Sequence, residues 1–449
     1  MERPLLEHTL EQLRKALEHD DLAGAANIIE AMRPADQADL FAELDEAQQY
    51  ALLPKIAPED SADILEELDD ETVAELVDAL SNEDIVRIMD EMEPDEAADL
   101  LGDVHPERAE KLLSGLDDPE EVRPLMIHAD ESAGGLMTTE FLVLRRRMTA
   151  AEAIEAFRQW NPDAETIYYL YVADQIGRLS GVVNLRQLIL ADPSTLIMDL
   201  METKLISVGP DTDQEEAAQL LLRYDLLALP VVDDQKRLLG VITVDDVMEV
   251  LENEATEDIQ RYGGAQPLER PYLDTPPSVI TRKRIGWLLL LFLTATLTGS
   301  VMRMFEWQLE AVVALAVFIP LLIGTGGNAG SQTTATIIRA LATRDIEPRE
   351  AFWVWWHEAR VGILLGVGMA IAAYIRAITW EPDAALALTV SVSIMALVFW
   401  ATSVGSILPL AASRLGIDPA LVSGPLMSTL VDATGLFIYF TIAGIILGL

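Results

Sequence analysis

Five apolar stretches follow the basic triplet Arg282-Lys283-Arg284, and no other feature constrains the fold as strongly. They cover 285–302, 309–338, 351–378, 384–412 and 420–449. Each reaches or approaches the ~20 residues that a helix needs to cross a bilayer. Backbone amides in hydrocarbon must be satisfied within the segment, so 281–449 is expected to form an all-α transmembrane bundle of five helices. Glu358 and Arg360 interrupt the first half of the third stretch, and Trp353, Trp355 and Trp356 mark that end as an interfacial belt. In this threading Arg282, Lys283, Arg284, Arg339, Arg344, Arg349 and Arg414 fall on one side, Arg303 and Arg376 on the other. The positive-inside rule then puts everything before the first span in the cytoplasm and the C-terminus outside. The N-terminus has no apolar core of signal-peptide type, which agrees.

Two spans carry residues that a plain anchor does not need. The second contains Pro320 and then 324–332, GTGGNAGSQ. Its glycines lie inside a span with no βαβ unit around them, so they are not a dinucleotide fingerprint. Gly326 and Gly330 suit close helix packing, while Asn328 and Gln332 suit a polar path. The fifth span holds one carboxylate, Asp432, in line with Gly424 and Ser428 at i, i+4, i+8, with Gly435 near the same face. A carboxylate at that depth faces an aqueous cavity or a partner. Arg360 is the only candidate for an intramembrane ion pair, and a cation pathway is the favoured reading. Asp418-Pro419 reads as the N-cap and first residue of this span.

The charge lies elsewhere. The formal net charge is −43, and all of it falls in the first 280 residues, which hold 64 acidic and 21 basic residues. Such a field repels nucleic acid and anionic lipid and attracts divalent cations, whose preferred ligand is carboxylate oxygen. An acidic surface also serves solubility in a high-salt habitat, and composition alone does not separate the two. The chain has no cysteine and five histidines, and no nucleophile–base pair stands out, which argues against an enzyme.

Residues 34–117 repeat with a period of twelve: PADQADLFAELD, EAQQYALLPKIA, PEDSADILEELD, DETVAELVDALS, NEDIVRIMDEME, PDEAADLLGDVH, PERAEKLLSGLD. Each unit is a short helix that cannot stand alone, so 1–130 is expected to stack into an all-α superhelix. Beyond it, 166–173 (TIYYLYVA) and 229–232 (LPVV) read as strands. Two half-repeats align: Met137-Thr138 with Met201-Glu202, 64 apart, and GVVNLR at 181 with GVITVD at 240, 59 apart. The stretch 244–263 follows as an acidic helix.

These half-repeats resemble a tandem pair of α/β CBS domains, here 131–200 and 201–260. In the second copy Gly240, Thr243 and Asp246 match the CBS pattern for an adenosine ribose, implying a nucleotide such as ATP. Asn184 and Gln187 depart from that pattern in the first copy. The order superhelix, CBS pair, acidic linker helix and five spans resembles the MgtE family of magnesium channels. The motifs that carry this are GTGGNAGSQ at 324–332, DPALVSGP at 418–425 and Asp432 within LVDATG. The resemblance implies a multidomain homodimer in the plasma membrane, with a Mg²⁺ pore on its two-fold axis. Asp432 would face hydrated Mg²⁺ there, with Gly424, Ser428 and Asn328 lining the path. It also implies cytosolic Mg²⁺ sensing by Glu59, Glu91 and Asp95 in the superhelix and by Asp213, Asp225 and Asp246 in the CBS pair. Glu249, Glu254, Glu257 and Asp258 on the linker helix and Asp418 at the membrane complete that set. Two other readings stay open: a secondary Mg²⁺ exchanger, and a membrane-anchored regulatory scaffold.

Overall fold

The computed structural model describes residues 3–160, 169–268, 270, 272–273, 275–422 and 424–449. The chain is multidomain, with an α-superhelix, an α/β CBS pair and an all-α membrane bundle. It separates into two compact units, Met1–Glu252 and Asn253–Leu449.

In the first unit the twelve-residue repeat sets the helix starts. Helices run Pro34–Ala42, Glu46–Leu52, Pro58–Glu66, Asp70–Ala79, Asn82–Met89, Pro94–Asp103 and Pro106–Leu113. Four open on proline, whose fixed φ suits the first turn, and Asp45, Asp69 and Ser81 cap three others through their side chains. The apolar pairs at 40/41, 52/53, 64/65, 76/77, 88/89, 100/101 and 112/113 recur at the same period, and every one is at most 5% exposed. Each helix packs against the next but one. Acidic side chains hold the stack together: Glu30, Glu66 and Asp90 accept from the backbone N–H of Ala57, Glu93 and Asp117, each 27 residues on. Part of the acidity is therefore structural.

The CBS pair contains β1 (Val143–Arg145), β2 (Tyr169–Ala173), β3 (Leu179–Asn184), β4 (Ala228–Val232) and β5 (Leu238–Thr243). β1 pairs parallel with β2, β2 antiparallel with β3, and β4 antiparallel with β5. The β4–β5 hairpin repeats β2–β3 with every boundary displaced by 59 residues. Of the strand expected at 166–173, residues 166–168 lie outside the described residues. The copies interleave. Thr138 from the first exchanges backbone hydrogen bonds with Val241 of β5, and Glu202 from the second does so with Val182 of β3. Gly181 and Gly240 permit this crossing, since a Cβ on either would meet Met201 or Met137 within 2.7 Å.

The linker helix spans Val244–Tyr262. The spans are TM1 (Pro277–Met304), TM2 (Ala314–Ala342), TM3 (Ala351–Trp380), TM4 (Ala384–Arg414) and TM5 (Gly424–Leu447), and all five are long and apolar enough to cross a membrane. Three boundaries differ from the sequence reading. TM1 starts before the basic triplet, because Lys and Arg can continue a helix while their charged heads reach toward the interface. The second stretch breaks at Val312–Val313, leaving a separate short helix, Glu306–Ala311. Asp418 caps a short 3₁₀ turn, Pro419–Leu421, and not TM5, whose own first turn holds Pro425, a residue with no N–H to give. TM2, TM4 and TM5 form the packed centre of the bundle, around Phe318, Leu397, Val431, Tyr439 and Phe440. TM1 is apolar yet has no buried residue within the chain.

Candidate functional site

The membrane site grows from a seam of small residues. Gly326 packs against Val431 and Leu397, and Gly330 against Met427 and Val431. A Cβ on Gly405 would come 2.7 Å from the carbonyl oxygen of Gly330, so TM2 and TM4 touch backbone to backbone. Thr334 donates to the Gly405 carbonyl across the same contact, at 3.2 Å.

This close approach brings TM2 beside the polar stripe of TM5. Ser331 donates to the Gly424 carbonyl at 3.2 Å and lies 3.3 Å from the Ser428 hydroxyl. One turn earlier, Gly327 faces Ser428 and Asp432, with Asp432 Oδ1 3.8 Å from where its Cβ would be. That oxygen is buried and accepts no hydrogen bond. Among the described residues no cation pairs with Asp432. Arg360 instead lies 3.4 Å from the His357 ring, and Thr333 reaches Glu358 at 3.5 Å. A buried carboxylate oxygen with no hydrogen-bond partner, beside Gly327 and Ser428, can take a cation or a proton. Asn328 is exposed on TM2 rather than packed in the seam, as is Gln332.

The linker helix ends against this stripe. The Tyr262 hydroxyl donates to the Ser331 carbonyl at 2.7 Å, and a Cβ on Gly424 would lie 3.1 Å from that hydroxyl and 3.2–3.4 Å from the Tyr262 ring. The helix then stops at Gly264, which has φ +75° and the Trp287 ring so close that no Cβ fits. Arg261 donates to Asp418 at 2.5 Å and also pairs with Glu257. Burial, then the nearby carboxylates of Asp418 and Glu254, raise the Asp258 carboxyl above its usual range. Neither Arg261 nor Tyr262 stood out in the sequence. A cation one turn after Glu257 was the available signal, but Asp418 lies 157 residues away.

In the first unit, Asp95 and Asp246 are brought together with Glu96 and Glu249. Burial and then the Asp246 charge push the Asp95 carboxyl well up, and Asp95 Oδ1 is buried without a hydrogen-bond partner. Glu96 is pushed up to about 8, first by burial and then by Asp99, Glu66, Glu249 and Asp246. Asp246 is raised by burial against the opposing pull of Thr243, whose N–H and hydroxyl both donate to its Oδ2. These carboxyls crowd together, although among the described residues no three acids converge closely enough to hold a metal. Other expected sensor residues stand apart. Glu59, Glu91, Asp213 and Asp225 are exposed. Asp213 caps a helix through the N–H groups of Glu215 and Glu216, and Asp225 closes that helix in a left-handed conformation, φ +51°.

Known proteins match along most of the chain. The MgtE family, described as a divalent cation transporter, matches residues 319–442. The MgtE intracellular N domain matches 32–126, and CBS domains match 133–194 and 197–253. The magnesium transporter MgtE of Thermus thermophilus is 46% identical over 338 residues, 75% of each chain. That of Bacillus subtilis is 36% identical over 322 residues, 72% of this chain and 71% of the relative. The solved cytosolic domain of the Mg²⁺ channel MgtE in complex with ATP superposes with a TM-score of 0.52 at 39% identity, over 54% of this chain and 99% of that one.

Proposed function

Given that the chain belongs to the MgtE family, a family of transporters and not of enzymes, we propose that it is a Mg²⁺-selective channel closed by cytosolic Mg²⁺. The transported ion is Mg²⁺, as in its relatives. The observation that carries the channel reading is the unpartnered Asp432 oxygen beside Gly327 and Ser428. In a homodimer with its axis at TM5, two such carboxylates offer −2 to an ion that sheds water reluctantly. Mg²⁺ then passes largely hydrated and is read through its water. TM1, which packs along TM5 yet buries none of its residues within its own chain, turns its remaining apolar surface to lipid or the second copy.

The regulatory half of the proposal rests on the crowded acids. Burial and mutual repulsion, ~332/(εr) kcal/mol per ionised pair, oppose the ionisation of Asp95, Glu96 and Asp246 side by side, so their ionisation favours separation of superhelix and CBS pair when divalent ions are scarce. Mg²⁺ held by Asp95 and Asp246 removes that repulsion, favours the closed form and keeps the linker helix on the TM2–TM5 seam. This is a population shift, and it demands tighter Mg²⁺ binding to the closed state. The acidic half lies in the cytoplasm and the C-terminus outside, in the plasma membrane. By analogy with the ATP-bound relative, ATP binds the second CBS copy, at Gly240, Thr243 and Asp246.

Mg²⁺ uptake into proteoliposomes tests the pore. Asp432→Asn removes the charge at nearly constant volume and is expected to abolish uptake. Undiminished uptake in Asp432→Asn sinks the pore assignment, and uptake driven by a pH gradient favours an exchanger.

A further inference from the structure

Arg261 stands where the proposed reading expects a metal. Glu257 and Asp418 are both sensor candidates, one on the linker helix and one on the turn before TM5. The guanidinium of Arg261 already joins them, donating to Asp418 Oδ2 at 2.5 Å and pairing with Glu257. The other Asp418 oxygen accepts from the Ala420 N–H at 2.7 Å. Both oxygens of Asp418 are therefore engaged, and a divalent ion there must displace an arginine that cannot lose its proton. The next residue, Tyr262, anchors the same helix end to Ser331 and Gly424, and Ser331 contacts Ser428, one turn from Asp432.

We infer that Arg261 is a resident counter-cation: it replaces a regulatory divalent ion between Glu257 and Asp418 and, with Tyr262, latches the linker helix to the TM2–TM5 seam without metal. The inference rests on the linker helix being the gate and deepens that reading. The chain's own cation holds the membrane end of the gate part of the time without metal, and the divalent ion that completes closure falls to the Asp95–Asp246 cluster. Arg261 is a positioning residue, since it touches the acids and not the transported ion. Replacing it by a neutral residue leaves the acids bare and makes the latch depend on metal.

The chain has no cysteine, so nitroxide labels at Thr256→Cys and Leu415→Cys, both exposed, report the separation of helix and turn. The full-length protein, diluted with unlabelled chains, is measured in EDTA and in millimolar Mg²⁺. The labelled parent is expected to show a narrow, latched population in EDTA that grows in Mg²⁺, when the sensor closes as well. Arg261→Gln is expected to lose that population in EDTA and recover it in Mg²⁺. Tyr262→Phe keeps the ring on Gly424, loses one hydrogen bond and is expected to lower the latched-to-free ratio about fivefold in EDTA. This second variant decides the matter if Arg261→Gln proves unstable. A latched population in Arg261→Gln in EDTA equal to the parent's overturns the inference, as does a parent that latches only with Mg²⁺. The measurement reads no flux. If Asp432→Asn transports normally, the pore assignment fails while the latch stands, and an unchanged distance in Arg261→Gln has the reverse meaning.

Discussion

Replacing Gly405 by alanine should open the bundle at the contact that brings TM2 beside Asp432. The added Cβ would sit 2.7 Å from the Gly330 carbonyl oxygen and 3.2 Å from both the Thr333 and Thr334 side chains, against about 3.5 Å for ordinary contact. The nearest obstacle is backbone of a neighbouring helix, so no rotamer change relieves it. Overpacking of this kind costs about 1–3 kcal/mol. Separating the helices also strains the Thr334–Gly405 hydrogen bond, which in a membrane is worth about 0.6 kcal/mol. Alanine recovers up to about 1 kcal/mol of helix propensity over glycine. The net expectation is a loss of roughly 0.5–2.5 kcal/mol, read as a lower unfolding midpoint in detergent, with slower Mg²⁺ uptake as TM2 moves away from TM5. Gly368 is the control, because nothing lies within 4 Å of its would-be Cβ. Gly368→Ala should be neutral or slightly stabilising. Equal midpoints for the two variants would refute the packing argument.

Three further perturbations probe the first unit in the intact protein. Glu96, whose folded value is about 8 against an ordinary 4.5, contributes stability that is complete below about 4.5 and is lost as pH rises through about 8. Glu96→Gln should therefore flatten the fall in unfolding midpoint between pH 5 and 9, and an unchanged slope contradicts the burial argument. Asp246→Asn keeps an acceptor for Thr243 but removes the charge facing Asp95, so the midpoint in EDTA should rise while the extra stabilisation by Mg²⁺ shrinks. A Mg²⁺ increment equal to that of the parent would exclude Asp246 as a ligand. Gly240→Ala places a Cβ 2.6 Å from Met137 and 2.8 Å from the Thr138 carbonyl. It should destabilise the interleaved CBS pair by about 1–3 kcal/mol in denaturant unfolding, whereas a silent substitution would deny the crossing of the two copies.

The features most legible in the sequence were those with a local period. Helices begin at 34, 46, 58, 70, 82, 94 and 106 because each unit carries its own start signal and the same buried pair seven residues in. The 59-residue offset of the two strand hairpins was equally visible. The exchange of Thr138 and Glu202 between them was not, since it depends on pairing over about a hundred residues in one case and twenty in the other. In the membrane, composition located the spans, but the break at Val312–Val313 lies within a continuous apolar run and carries no local signal. The stripe at 424, 428 and 432 was read from helical spacing alone, while its neighbour Gly327 required knowing how TM2 packs on TM5. The acids show the limit most clearly. Asp95 and Asp246 come together, Glu257 and Asp418 are joined through Arg261, and Asp213 caps a helix. These three arrangements look alike as a list of carboxylates.

The most direct test of the account is single-channel recording from the purified protein in planar bilayers, with Mg²⁺ as the only permeant cation and the cytosolic-side Mg²⁺ varied. Unitary currents are expected at low cytosolic Mg²⁺, disappearing as it rises, and none at any concentration in Asp432→Asn. Steady Mg²⁺ uptake without unitary currents, or currents indifferent to cytosolic Mg²⁺, would contradict it.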